Sequence, residues 1–308
     1  MRWLITGGAG FIGSHLVDAI LSRRLGEVVV LDNFRRGRAE HLAAHDGDPR
    51  LTIIQGDIRD PMTISDACMD IDVVVHLAAC SNVMGSESEI TVACETNVLG
   101  TLYVLDSALR AGVGRVVFSS SREVYGDQTM LPVSEGTPLA PKNLYGASKA
   151  SGEAYCSVFR QRGLDVRVLR LTNVFGPRDT DRVVPIWLER ANAGEPLEVF
   201  GGKQVLDLLW IEYTVDALLN AASLPSLPGP INVGTGQGIS ILTLAQRIIE
   251  ETGSLSPIDI LPAREQEVLG YVADTRGMEL HLGIKPPSDP LACLATMSTY
   301  APLTGRAS

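Results

Sequence analysis

GGAGFIGSHLV, residues 7–17, directly follows the apolar run RWLIT (2–6) and opens a stretch in which Ile12, Leu16 and Ile20 recur at helical spacing. Gly7, Gly10 and Gly13 stand three apart, and the register Gly8-x-Gly10-x-x-Gly13 is present in the same stretch. Glycines at a strand-to-helix corner permit a tight turn and let backbone approach a pyrophosphate closely. The helix that follows adds oriented N–H donors and a partial positive charge. A glycine pattern alone is a weak signal. This one follows a strand, opens a helix, and is followed by Asp32 at the end of the next apolar run, EVVVLD (27–32). The context predicts a dinucleotide site with Gly7, Gly10, Phe11, Ile12 and Gly13 in its phosphate loop. Asp32 is expected to accept from the adenosine ribose hydroxyls and to repel a 2′-phosphate, so NAD is expected over NADP. Arg35 and Arg36 lie close behind and are the side chains able to receive such a phosphate. Asn33 follows Asp32, and Asp57 is expected either to meet the adenine edge or to serve as a turn residue.

Working outward, LTIIQGD (51–57), DVVVHLAA (72–79), RVVFSSS (115–121) and DVRVLRLT (165–172) repeat the rhythm of an apolar run followed by an amphipathic stretch. Continuous apolar strands separated by helices predict an α/β fold: a Rossmann-type doubly wound parallel sheet, buried on both faces, with ligands beyond the carboxyl ends of its strands. After about residue 175 the pattern loosens into GPRDTD (176–181), AGEPLEVFGGKQ (193–204), SLPSLPGP (223–230) and IKPPSDP (284–290). A division into residues 1–172, the cofactor-binding domain, and residues 173–308, a smaller α/β substrate-binding portion interleaved with it, is expected. The closing residues LTGRAS (303–308) are expected to fray.

Composition excludes several classes. With 26 Lys and Arg against 36 Asp and Glu the formal net charge is −10 and the pI about 5.0, which disfavours a nucleic-acid surface. No apolar stretch reaches the roughly 18 residues of a membrane span, and MRWLITGGAGFIG reads as a strand and loop instead of a signal peptide, so a cytoplasmic protein is expected. The five cysteines have no paired or CxxC spacing, which predicts reduced thiols and no metal site.

In PKNLYGASKASGEAY (141–155), Tyr145 and Lys149 are spaced i, i+4 and share one helix face. An ordinary phenol is a poor base at neutral pH. An ammonium at ~5 Å with an effective dielectric of ~20 is worth roughly 3 kcal/mol, somewhat over two pK units. The positive nicotinamide of NAD would add to this and make Tyr145 a usable base.

With these motifs in place the chain resembles the extended short-chain dehydrogenase/reductase superfamily, in its nucleotide-sugar epimerase, dehydratase and decarboxylase branch. The resemblance spans nearly the whole chain: GGAGFIG (7–13), Asp32-Asn33, GDI (56–58), HLAA (76–79), TNVLGT (96–101), SSSREVYG (119–126), YGASK (145–149), RLTNVFGPR (170–178), INVGTG (231–236), and an arginine followed by Glu267-Val268 and Ala273-Asp274. It implies a UDP-glucose 4-epimerase-like enzyme in which Ser121 holds the sugar 4-hydroxyl, Tyr145 removes its proton, and NAD accepts the C4 hydride to leave a 4-keto sugar. In an epimerase the keto sugar turns and the hydride returns to its other face. The same resemblance places Ile58, Leu77, Ala78, Ala79, Asn97, Ser119 and Lys149 at the cofactor. Asn97 supports a water or backbone near the catalytic helix, and two copies are expected to pair through helices near 96–111 and 145–162.

For a nucleotide-diphosphate sugar, with UDP the expected nucleotide, the resemblance implies contacts from Asn173, from the segment 197–200 including Val199, and from Arg264. Leu206 stands where many relatives carry a second diphosphate arginine, a role open to Arg178 or Arg182. Glu123 resembles the glutamate of dehydratases and uronic acid decarboxylases, whereas Arg122 occupies the place of the dehydratase acid and cannot donate a proton. Arg122 could instead grip a C6 carboxylate, or simply pair with Glu123. The leading expectation is a 4-epimerase acting on a UDP-hexose or UDP-hexuronate. A decarboxylase or an unusual dehydratase using Glu123 is the alternative, and a dinucleotide-sensing regulator without turnover is the alternative of another class.

Overall fold

The structure, a computed structural model, describes residues 1–81 and 83–298; the expected fraying of LTGRAS lies outside the described residues. Six strands match the apolar runs: β1 (Arg2–Thr6), β2 (Glu27–Asp32), β3 (Leu51–Gln55), β4 (Val73–His76), β5 (Arg115–Ser121) and β6 (Val166–Leu171). Between them lie helices α1 (Phe11–Ser22), α2 (Pro61–Ala67), α3 (Val83–Ser88), α4 (Ile90–Cys94), α5 (Thr101–Ala111) and α6 (Leu144–Gln161). The C-terminal part contributes β7 (Asn173–Phe175), α7 (Val183–Asn192), β8 (Leu197–Phe200), β9 (Val205–Trp210), α8 (Ile211–Ser223), β10 (Ile231–Val233), β11 (Gly238–Ser240), α9 (Ile241–Thr252), β12 (Ile258–Leu261) and α10 (Leu294–Ser298).

The main sheet has seven parallel strands in the order β10-β6-β5-β4-β1-β2-β3. Its topological switch point lies between β1 and β4, where chain connections diverge and a crevice opens. Alternation along the strands explains why the runs are apolar throughout. Trp3, Ile5, Val28, Val30, Val73 and Val75 face the core under α1 and α8, while Leu4, Val29, Leu31, Val74, Val116 and Phe118 face the core under α2, α5 and α6. Edge strand β3 departs from this pattern: it pairs only with β2, and Thr52 and Ile53, on opposite faces, are both exposed.

β10 joins the N-terminal sheet beside β6, so residues from the C-terminal part complete the Rossmann layer. The remaining strands build two small sheets, β11-β9-β7 and β12-β8. Asp207 on β9 ties the first of these to the loop after β10: its fully buried carboxylate accepts from Thr235 N (2.8 Å), Thr235 Oγ1 (2.6 Å), Gly236 N (3.1 Å) and Ala273 N (2.9 Å). Burial alone would make a charge there costly, and these donors offset that cost. Among the described residues no helix is long and apolar enough to cross a membrane, and no cluster of His, Cys, Asp or Glu could hold a metal.

Candidate active site

A cleft of about 1610 Å³ runs along the carboxyl ends of the parallel strands, between the main sheet and the C-terminal part. It exceeds the roughly 300–1,000 Å³ of a single-ligand pocket and has room for more than one ligand.

At one end the loop after β1 forms the floor. Gly7 takes a left-handed φ of +73°, Gly10 N donates to Gly7 O at 3.1 Å, and a Cβ on Gly13 would lie 2.2 Å from Gly7 O. The turn is therefore closed to any side chain at Gly13, and α1 begins with its free N–H groups at the cleft, the arrangement a pyrophosphate requires. Buried Asp32 accepts from Ala9 N (3.0 Å) and Phe34 N (2.9 Å), one bond per oxygen, which leaves acceptor capacity on each for a ribose hydroxyl. Burial raises its pKa, and the two backbone donors work against that rise. These residues fit NAD. Arg35 and Arg36 are not free to take a 2′-phosphate: Arg35 pairs with Glu89, and Arg36 with Asp181 and Ser81 Oγ. Asp57 accepts from Asn33 Nδ2 (2.9 Å) and forms an ion pair with Arg59 (2.8 Å), and that bonding holds its carboxyl down at about 2. It therefore braces the loop that carries Asn33. Phe11, Ile12, Asn33, Ile58, Leu77, Ala78 and Ala79 also line this end.

Asn97 corrects an expectation. It lies wholly inside the protein and does not line the cleft; its amide exchanges hydrogen bonds with Cys80 N (2.8 Å) and Cys80 O (3.1 Å) and donates to Ser148 Oγ (3.0 Å). It sits in a wide helical turn, Glu95–Gly100, that leads into α5. Its action is on backbone near the catalytic helix, and it reaches a cofactor only through that backbone.

In the middle, β5 ends at Ser121 and the turn Arg122–Tyr125 brings α6 across it. Asn143 caps α6 by accepting from Gly146 N at 2.8 Å, worth about 1 kcal/mol. Gly146 lets the helix start hard against that turn, since a Cβ there would meet Glu123 O at 2.4 Å. This close approach seats Tyr145 and Lys149 at the cleft. Ser121 Oγ accepts from Glu123 N at 3.2 Å and, with Tyr145, lines the cleft. Lys149 Nζ donates to Ser119 O at 2.8 Å and lies 5.8 Å from the centre of the Tyr145 ring.

The electrostatics differ from the expectation for an isolated tyrosine–lysine pair. Burial pushes the Tyr145 phenol up to about 12, and the strongest opposing influence is Arg182, ahead of the Ser121 hydrogen bond; Glu123 adds to the rise. Burial likewise brings Lys149 down to about 8. Lys149 is thus still a cation at neutral pH, but its charge alone does not overcome the loss of water around the phenol.

At the other end, side chains arranged in pairs form the walls. Arg122 Nη2 meets Glu123 Oε1 at 2.7 Å, with Glu123 buried and Arg122 partly so, Glu123 Oε2 accepts from Asn143 Nδ2 at 2.8 Å, and the Arg122 Nη1 atom is buried without a partner. Arg182 Nη1 donates to Asp179 Oδ1 at 2.9 Å, and Arg178, also on the wall, pairs with Asp18 at 2.8 Å. Arg264 stacks 3.5 Å over the Phe200 ring and pairs with Glu267 at 3.1 Å. Asn173 donates to Asp207 O at 3.3 Å, and Leu206 presents an apolar surface to the cleft. Val199 is the second correction: it is fully buried in the core, while its neighbours Glu198 and Phe200 line the cleft. A strand turns alternate residues to opposite faces, so naming the right strand but the wrong parity inverts the assignment. Sequence reasoning missed Asn143 and Asp179, whereas Phe200 lies within the expected segment 197–200. An Asn just before the first apolar turn of a helix is a capping signal; Asp179 depends on tertiary placement.

Comparison with known proteins agrees with this geometry. The family described as NAD dependent epimerase/dehydratase family matches residues 3–234. UDP-glucuronic acid decarboxylase 3 of Arabidopsis thaliana is 35% identical over 260 residues, covering 81% of this chain and 74% of that protein. The crystal structure of UDP-glucose 4-epimerase from Thermotoga maritima with UDP-glucose superposes with a TM-score of 0.91 at 32% identity, covering 97% of this chain and 98% of the other. That of DesIV, a dTDP-glucose 4,6-dehydratase from Streptomyces venezuelae with NAD bound, gives 0.93 at 33% identity, covering 97% and 96%. The chain belongs to the NAD-dependent epimerase/dehydratase family, a group of Rossmann-fold enzymes, and its cofactor is NAD.

Proposed function

We propose that this protein is an NAD-dependent nucleotide-sugar 4-epimerase acting on a UDP-hexose or UDP-hexuronate. The observation that carries the reading is the middle of the cleft: one phenol and one serine hydroxyl line the same space, beside a carboxylate that is already committed to Arg122 and Asn143. Such a site can take one proton from one carbinol. Glu123, bound to Arg122 and Asn143, is not free to expel a C6 hydroxyl, which argues against dehydration.

Ser121 receives Glu123 N–H and so retains its own proton for the Tyr145 oxygen or the sugar 4-hydroxyl. Tyr145 accepts the 4-hydroxyl proton as C4 becomes a carbonyl and returns it when C4 is reduced. Lys149, anchored on Ser119 O, keeps positive charge close to the phenol and would hold the nicotinamide ribose of bound NAD. Bound NAD supplies the hydride acceptor and, through its positive ring, lowers the phenol further. Asn173, Arg182 and Arg264 are the side chains assigned to the nucleotide diphosphate, and the Arg264–Phe200 stack to the edge of the base. Each of these arginines is paired already, so a diphosphate must displace or share a carboxylate partner.

A second reading is supported by Arg122, whose Nη1 is buried and unpaired beside the reacting hydroxyls, and by the likeness to a UDP-glucuronic acid decarboxylase. Oxidation of a uronate at C4 makes its C6 carboxylate β to a ketone. The C5–C6 bond can then break without an acid: carbon dioxide leaves, the electron pair enters the enolate, and a proton returns to C5.

Incubation of the NAD-loaded protein with UDP-glucose, UDP-glucuronate and UDP-N-acetylglucosamine, followed by NMR, separates the readings. The C4 epimer is the expected product. A UDP-pentose with released carbon dioxide would replace the epimerase by the decarboxylase, and unchanged sugars with NAD bound would leave only the sensing regulator. The proposed protein also pairs with a second copy through α5 and α6, where Tyr103 and Tyr155 are partly exposed and Leu99, just before α5, and Val158 are exposed; light scattering of the purified protein should read twice the chain mass.

A further inference from the structure

The loop after β2, residues 33–38, is folded against the carboxylate of Asp32. Phe34 N donates to Asp32 Oδ1 at 2.9 Å, and Gly37, three residues on, comes so near that a Cβ there would lie 2.7 Å from Oδ1 and 2.8 Å from Oδ2. Arg38 N then donates to Ala9 O at 3.0 Å, while Ala9 N donates to Asp32 Oδ2, which returns the loop to the glycine turn. Arg35 and Arg36 are the two residues between the Phe34 and Gly37 contacts, so both leave the backbone beside the carboxylate that is to hold the adenosine ribose. Two guanidinium groups at that place are what a 2′-phosphate needs. Both are drawn away instead, to different walls. Arg35 pairs with Glu89, which stands between α3 and α4, 54 residues further along. Arg36 pairs with Asp181, in the turn between β7 and α7, 145 residues further along, and its Nη1 donates to Ser81 Oγ at 2.8 Å. All five of these side chains line the same cleft.

We propose that Glu89 and Asp181 are cofactor-selectivity residues: by holding Arg35 and Arg36 they keep two guanidinium groups from the adenosine 2′ position, and so complete the preference for NAD over NADP that Asp32 begins. Asp32 alone is an incomplete barrier. Its single negative charge repels a 2′-phosphate, but two arginines rooted beside it, once free, would outweigh that charge and grip the phosphate. With each arginine matched to a carboxylate, the four groups sum to zero and the charge of Asp32 stands unopposed. The paired side chains are between 38% and 49% exposed, so each pair is weak as a source of stability. What the pairs supply is direction: they decide where two long, mobile cations spend their time. Glu89 and Asp181 act through the arginines and are positioning residues in this account. Ser81 shares in holding Arg36 but carries no charge, so it cannot replace Asp181 as a counterion.

The inference concerns the cofactor alone and is independent of which sugar is converted, so its test reads binding and no turnover. The full chain, freed of bound nucleotide and checked for native circular dichroism, is titrated with NAD and separately with NADP in a calorimeter at low salt. The background is Asp32→Asn, near-isosteric and neutral, so that repulsion by Asp32 does not mask the arginines. Adding Glu89→Gln and Asp181→Asn together should tighten NADP about tenfold and leave NAD within about twofold. Adding Arg35→Gln and Arg36→Gln to that protein should abolish the gain, and raising the salt should shrink it. NADP affinity left unchanged by Glu89→Gln with Asp181→Asn would overturn the proposal. So would an equal change for NAD and NADP, which marks a loosened loop, or a gain that survives loss of both arginines, which marks the acids as acting by their own charge.

Discussion

The two ends of the cleft are built by different means. At the cofactor end the backbone does the binding: a glycine turn, the first N–H groups of α1, and a carboxylate oriented by Ala9 N and Phe34 N. At the substrate end the walls are side chains, and each arginine there is matched to an acid: Arg122 to Glu123, Arg182 to Asp179, Arg190 to Glu198, Arg264 to Glu267. A backbone site tolerates no added atom, because nothing in it can swing aside. A site of paired side chains can exchange partners, which suits a family whose members accept different sugars but makes the strength of any one contact depend on what it gives up.

The comparison can be broken most severely where the ends meet. Tyr145→Phe should retain NAD yet lose about 10³-fold in turnover, measured with whichever UDP-sugar is converted, because a positioned base contributes roughly 10²–10⁴-fold. Gly13→Ala tests the cofactor end: with Gly7 O only 2.2 Å from the new Cβ, the loop must open, and NAD affinity measured by calorimetry should fall about 100-fold, equivalent to about 3 kcal/mol. Glu123→Gln tests the substrate end, since it strands Arg122, both of whose terminal nitrogens would then lack an acidic partner. Chemical denaturation should show a loss of about 3 kcal/mol, largely recovered in the double variant Arg122→Met/Glu123→Gln.

A smaller effect concerns pH. His76, at the end of β4 between Thr6 Oγ1 (2.7 Å) and Thr101 Oγ1 (3.0 Å), is wholly buried, and burial brings its pKa down to about 3, with Lys149 adding to the fall. The unfolded chain binds a proton near 6.5 and the folded one does not, so stability is full above about 6.5 and is lost as pH falls from there toward 3. Between pH 6.5 and 5 we expect about 2 kcal/mol of acid destabilisation by denaturant titration, flattened in His76→Gln. Smallest is Leu206→Arg, which places a cation on the apolar wall and should tighten UDP binding roughly threefold to tenfold by calorimetry.

The same contrast explains what could be read in the sequence. The six N-terminal strands, the glycine loop and Asp32 were legible because strand burial and a tight turn each demand a residue type at a fixed spacing. Tyr145 and Lys149 were legible because one helical turn joins them. The pairing of β10 with β6 was not, since a three-residue strand carries little pattern and finds its place only through Asp207 and the packing around it. Val199 failed by one residue although Leu197, Glu198 and Val199 alternate, because Phe200 puts an apolar residue on the Glu198 face too and four residues do not say which face meets the cleft. The charge around Tyr145 failed for a different reason: the arginine that matters most is 37 positions away in the sequence, in a turn whose fold against α1 no local rule predicts.

The central claim, that Tyr145 and NAD oxidise and re-reduce one carbon of a nucleotide sugar, is tested most directly with the sugar deuterated at C4. NAD-loaded protein is given the C4-deuterated UDP-glucose and UDP-glucuronate in ordinary water, and the product is read by NMR and mass spectrometry. The account predicts that deuterium stays at C4 in the product, because the hydride leaves and returns without meeting solvent, and that Tyr145→Phe forms almost none of it. Product in which C4 carries hydrogen from the water would contradict it.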